Sequence, residues 1–161
     1  MIKIVFISSV VPQTVQSPAF PDGVPVAVFD TFRTTMLEDR AQFFRDVPTG
    51  PFYGFNRPSA KVSQGLIDSW FTVGMQAGLK AVYETTRSWE VDYSEDLKGL
   101  DIPALLIQGD DDQIVPIKTG ALAAIKLLKY GAIKVYEGGA HGLMDTEPDR
   151  INADLLEFIQ T

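Results

Sequence analysis

The sequence predicts an α/β fold in which three strands run parallel and a block of helices is inserted after the first. Three observations carry this. Short runs of β-branched, aliphatic and aromatic residues stand at 2–7, 103–108 and 132–136. Helical periodicities fill the intervals between them. The second half alternates strand and helix, an order that calls for parallel strands joined by right-handed crossovers.

The first run, Ile2 to Ile7, is short and almost continuously apolar, the pattern of a strand covered on both faces. Residues 12–25 hold Pro12, Pro18, Pro21, Gly23 and Pro25 and read as an excursion loop. From Val26 to Val47, Phe29, Phe32, Met36, Phe43 and Val47 recur at helical spacings until Pro48-Thr49-Gly50-Pro51 stops them. A second helix is expected over Ser63–Met75, with Ile67, Phe71 and Met75 on one face. A third is expected over Ala77–Trp89. A helical block between two strands commonly forms a lid or cap over a sheet edge.

Pro103 to Gln108 reads as the second buried strand, with proline at its first position, where a missing N–H is tolerated. The acidic turn Gly109-Asp110-Asp111-Asp112 follows. A helix is expected after Pro116, with Ile117, Ala121, Ala124, Ile125 and Leu128 inward and Gly131 ending it. Ala132 to Tyr136 is the third strand. Gly138-Gly139-Ala140-His141-Gly142 forms a loop, and Thr146 with Asp149 fits a capping box for a last helix that buries Ile151, Leu155, Phe158 and Ile159. No internal repeat, low-complexity tract or linker between domains interrupts the 161 residues.

Composition bounds the function. With 45% hydrophobic and 22% charged residues, the chain falls in the soluble globular class. A net charge of −7 argues against nucleic acid or an anionic membrane as partner. The absence of cysteine excludes disulfides, thiolate catalysis and Cys-ligated zinc. The run Ile2–Val11 has only Lys3 ahead of it and no A-x-A-like cleavage site, so a strand is expected there and not a leader. A cytoplasmic location is the default expectation.

One histidine, His141, stands in a glycine-flanked loop, and three aspartates stand just past the preceding strand. Separately, each has an ordinary reading as a surface loop or a solvated turn. Together they point elsewhere. Loops after successive parallel strands emerge on one edge of the sheet. An aspartate accepting from an imidazole N–H fixes its tautomer and stabilises the imidazolium, and a neutral imidazole suits general-base work near pH 7. A calcium loop is the competing reading of Asp110 and Asp112. It fails on Val115, which stands where the sharp-turn glycine is needed, and on the missing terminal glutamate.

The run Ile102-Pro103-Ala104-Leu105-Leu106-Ile107-Gln108-Gly109-Asp110-Asp111-Asp112-Gln113-Ile114-Val115-Pro116 resembles the stretch around the triad acid of α/β-hydrolases. Gly139-Ala140-His141-Gly142-Leu143 resembles the stretch around the triad histidine, and Asn152 to Ile159 the closing helix. Gly50-Pro51-Phe52-Tyr53-Gly54-Phe55-Asn56-Arg57-Pro58 is similar to the cap of the non-heme haloperoxidase and arylesterase (perhydrolase) branch. The resemblance implies a partial α/β-hydrolase fold, limited to its C-terminal part. Residues 1–12 and 90–161 would be core, and residues 13–89 a helical cap. It implies Asp112 as the acid and His141 as the base. Ile114 and Ile117 would lie near the substrate, and Phe52, Phe55, Trp70 and Phe71 are candidates for an apolar wall. The substrate implied is a small-molecule or aryl ester, or a carboxylic acid in perhydrolysis, with no metal, haem or flavin cofactor.

The family's G-x-S-x-G nucleophile elbow has no counterpart here. Ser8 and Ser9 follow the first strand without the glycines that a sharp elbow needs, and read as structural or pocket-edge residues. The expectation is therefore a chain inactive alone, whose strand 2–7 forms an apolar sheet edge. That edge would pair with an N-terminal half carrying the serine or with a second copy. The alternative is a non-catalytic assembly or complementation module with vestigial catalytic residues.

Overall fold

The computed structural model describes residues 2–160. Three parallel strands form one sheet in the order β1 (Ile4–Ile7), β2 (Ala104–Gly109), β3 (Gly131–Tyr136). Ile4 lies beside Ala104, and Ala104 beside Gly131, so all three strands start level. The central strand β2 is buried along its whole length. Alternation divides its side chains between two cores. Leu106 packs with Val11, Leu97, Ala121 and Ala124 on one face; Leu105 and Ile107 pack with Tyr136, Leu143 and Ile151 on the other. The first strand, expected to be covered on both faces, is only half-buried, because it lies at the sheet edge with β2 as its one neighbour among the described residues.

Between β1 and β2 stand α1 (Val26–Glu38), α2 (Arg40–Thr49), α3 (Gln64–Gln76) and α4 (Leu79–Thr85), then a 3-10 segment Thr86–Glu90 and the short α5 (Ser94–Gly99). Met36, Phe43 and Phe44 form their common core, with Phe32, Val47, Trp70, Phe71 and Val82 packed around it. The single helix expected over 26–47 is two. Asp39 leaves the helical region at φ −147°, and its carboxylate accepts from Gln42 N–H at 2.9 Å, capping α2. The apolar spacing survives the break because only one residue departs from it. The expected third helix shortens to α4 and tightens into the 3-10 segment.

After β2, the helix expected from Pro116 reduces to α6 (Ala121–Ala124) flanked by turns. Gly120 departs from helical geometry at ψ −112°, and a Cβ there would lie 2.7 Å from the Gln108 amide oxygen. Gly131 does not end a helix but opens β3. The expected capping box is absent: Thr146 belongs to α7 (Leu143–Thr146), and its hydroxyl donates back to the Gly142 carbonyl. The last helix, α8 (Pro148–Gln160), covers the second core through Ile151, Leu155 and Phe158. No helix among the described residues is long and apolar enough to cross a membrane.

Candidate active site

Level strands of similar length deliver the loops after β2 and β3 to the same rim. These loops meet backbone to backbone: a Cβ on Gly109 would fall on the Gly139 carbonyl. Glycine at 109 is therefore a condition of the approach. Asp110 N–H donates to the Tyr136 carbonyl at 3.1 Å, and the Asp110 carboxylate accepts from Gly138 N–H at 2.7 Å. Gly138, at φ +67°, turns the chain back toward the sheet.

This contact brings Asp112 Oδ2 to 2.9 Å from His141 Nδ1. The carboxylate is buried, while the imidazole retains about a fifth of its side-chain exposure (18%), enough to face a reactant. Asp112 Oδ1 accepts from Ile114 N–H and Val115 N–H, both at 2.9 Å, and Oδ2 also accepts from the Gln108 amide at 3.2 Å. A buried carboxylate so fully provided with donors is fixed in orientation. With the Asp112 carboxylate accepting, Nδ1 is the donor, and in a neutral imidazole Nε2 is then left as the acceptor. That is the arrangement of a general base backed by its orienting acid.

The imidazole is roofed by the loop after α2. The Phe52 ring lies edge-on to the imidazole, 5.0 Å between centroids, and Trp70 lies 5.5 Å behind Phe52. The Phe52 carbonyl accepts from Gly142 N–H at 2.8 Å, and the Tyr53 hydroxyl donates to Asp145 at 2.7 Å. Burial, then the Asp145 hydrogen bond, push the Tyr53 hydroxyl well above the usual phenol range, so it remains a donor.

The other expected residues divide. Ile114 is exposed beside Asp112, and Phe55 packs on Tyr53 at 5.4 Å. Ile117 packs against the first sheet core, and Phe71 packs in the core of the helical block with the Arg45 guanidinium 4.0 Å above its ring. Ser8 follows β1 at φ +44°, and its buried hydroxyl has no hydrogen-bond partner. Among the described residues, no group of three or more metal-ligating side chains comes together.

Sequence reasoning missed Gln108. Its amide nitrogen donates to Asp112 and, at 2.5 Å, to the Val115 carbonyl, while its oxygen accepts from Ala121 N–H at 2.8 Å. The one polar residue ending an apolar central strand was the available signal. Arg57, which reaches both rim loops, gave none.

A parallel sheet with an Asp–His pair on the rim past two adjacent strands, roofed by inserted helices, is the C-terminal part of an α/β-hydrolase fold, and the chain is a partial form of that fold. No family model matches the sequence. Its homologues are non-heme haloperoxidases and esterases. It is 48% identical over 159 residues to the non-heme chloroperoxidase of Burkholderia pyrrocinia, covering 98% of this chain and 57% of that protein. It is 42% identical over 160 residues to the bifunctional esterase/perhydrolase of Acinetobacter calcoaceticus, covering 99% and 58% respectively. The structure of bromoperoxidase from Bacillus anthracis superposes with a TM-score of 0.90 at 27% identity, over 99% of this chain and 58% of that one. The chain thus spans less than two thirds of the length of the relatives it matches.

Proposed function

We propose that this chain supplies the acid and base of a cofactor-free serine hydrolase acting on small or aryl esters, with perhydrolysis as a second activity. The observation that carries the reading is the 2.9 Å pairing of Asp112 with His141, which leaves Nε2 open at the rim. Residues 13–89 act as the cap, and Phe52 with Trp70 behind it forms the apolar wall beside the base.

In this scheme Nε2 takes the proton of a serine hydroxyl as its oxygen attacks the ester carbonyl. The imidazolium returns that proton to the departing alcohol. Nε2 then takes a proton from water or hydrogen peroxide as its oxygen attacks the acyl-serine carbonyl; the serine oxygen departs and recovers that proton from the imidazolium, releasing the acid or a peracid. Asp112 keeps its charge throughout and holds the imidazolium. The serine comes from a segment seated against the open edge of β1, outside this sequence's own motifs. The orphaned Ser8 hydroxyl supports that placement, since a buried polar group without a partner calls for one.

The test is turnover of p-nitrophenyl acetate by the purified chain, with and without a segment bearing a G-x-S-x-G elbow. Turnover is expected only with the added segment, and His141→Ala should lower it by about a thousandfold or more. Turnover by the chain alone, abolished by His141→Ala, would make it an autonomous enzyme. No turnover in either arm would favour a non-catalytic assembly module.

A further inference from the structure

The loop after α2 does more than roof the histidine. At its far end Arg57 reaches across the rim. Nη1 donates to the Gly138 carbonyl at 2.9 Å, and Nη2 donates to the Asp111 carbonyl at 3.0 Å. Nη2 also pairs with the Asp111 carboxylate at 2.6 Å. Gly138 opens the histidine loop, and Asp111 directly precedes Asp112. One planar guanidinium therefore spans both loops, which a lysine ammonium, a point donor, would not reproduce.

The surroundings of Arg57 are shaped to hold it there. Gly54 stands at φ +70°, and a Cβ on it would lie 2.7 Å from Arg57 Cζ and 2.9 Å from Nε and Nη1. The guanidinium folds over a residue whose positive φ favours glycine and where an added Cβ would displace it. Its Nε is buried without a partner, while both Nη groups are aimed at the loops. The histidine loop most needs an outside support, because Gly138 and Gly139 supply its stem.

We propose that Arg57 is a positioning residue. Its guanidinium sets the separation of the Asp112 and His141 loops and so the alignment of Nδ1 with Oδ2. The inference rests on the acid–base reading of that pair for its functional weight. Its geometry stands apart from that reading. A displacement of about 1 Å between the loops takes the Nδ1–Oδ2 contact beyond hydrogen-bond range.

His141 is the only histidine in the sequence, so 15N-histidine labelling reports one imidazole. In the unmodified 161-residue chain, its Nδ1 proton should be slow to exchange with water. Arg57→Gln should speed that exchange by about tenfold or more, with far-UV circular dichroism unchanged. Arg57→Lys should recover part of the protection. Gly54→Ala, which keeps the charge but displaces the guanidinium, should behave as Arg57→Gln does. Asp112→Asn tests the pair itself: if it leaves the proton as protected as before, the acid–base reading falls whatever Arg57 does. If Asp112→Asn removes the protection and Arg57→Gln does not, the positioning role is overturned. Backbone amide exchange decides separately. Arg57→Gln should accelerate residues 109–115 and 138–143 together, whereas acceleration across the whole chain, or in neither loop, would overturn the proposal.

Discussion

At the scale of single residues, Gln108 and Asp112 divide one task. Asp112 aligns the imidazole, and Gln108 aligns Asp112 from beneath while satisfying the Val115 carbonyl and the Ala121 amide. Both are buried, so neither can exchange a lost partner for bulk water. Gln108→Leu preserves approximate volume but strands these polar groups. It should destabilise the chain by about 2–3 kcal/mol, read from the urea midpoint. It should also weaken exchange protection of the His141 Nδ1 proton. A variant as stable as the parent would show that the loop is held by its backbone contacts alone.

At the scale of elements, α8 is pinned to β3 by a polar contact at the border of an apolar one. The Tyr136 hydroxyl donates to Asp154 at 2.5 Å, Lys134 reaches Asp154 at 3.1 Å, and Arg150 lies 3.7 Å above the Tyr136 ring. Burial works to raise the Asp154 carboxyl, but the Tyr136 and Lys134 hydrogen bonds outweigh it and hold the group below its ordinary value. Its contribution is therefore complete above the ordinary aspartate range and fades as pH falls through the depressed value. Tyr136→Phe should cost about 1–2 kcal/mol at neutral pH. The gap between variant and parent, followed by thermal melts across pH, should close in acid. A constant gap would mean that the ring's packing, not the charged hydrogen bond, was lost.

The elements also show what was legible in the sequence. The parallel arrangement and the shared rim of the Asp110–Asp112 and His141 loops could be read from the β-α-β-α order, while the choice of Asp112 among the three aspartates came from the resemblance of the stretch 102–116. Helix ends were not legible where a single polar residue decides them. Asp39 splits an unbroken apolar spacing, and the backbone of Gly120, shaped around the Gln108 amide, prevents a helix that the pattern of Ile117, Ala121 and Ala124 favours. Among the wall candidates, Phe52 meets the imidazole and Trp70 packs on Phe52, but Phe71 and Ile117 lie against cores, and aromatic or aliphatic character alone does not distinguish these fates. Arg57 was invisible because its partners are mostly backbone carbonyls brought close only by the fold.

At the scale of the whole molecule, both edges of the sheet are open among the described residues, but they differ. β3 carries the exposed Val135 and the ion-paired Lys134, a charge that discourages further pairing. β1 is uniformly apolar, Ile4-Val5-Phe6-Ile7, and half-buried. Association through β1 is expected to rise with concentration in analytical ultracentrifugation and to be suppressed by a complementing segment. A single monomeric species at the highest accessible concentration would refute it.

The rungs of β1 carry a last consequence. Ile4 N–H donates to the Pro103 carbonyl just ahead of β2 and Ser8 N–H to the Ile107 carbonyl within it, so by alternation the amides of Val5 and Ile7 point outward. Two outward donors make a short graduated scale. A parallel neighbour shifted by one residue would turn its side chains to the wrong face, and one shifted by two would lose half of its pairing. The sheet therefore acts as a depth gauge: an arriving strand in register with β1 ends level with Ser8, one residue short of the height where Gly109 and Tyr136 finish.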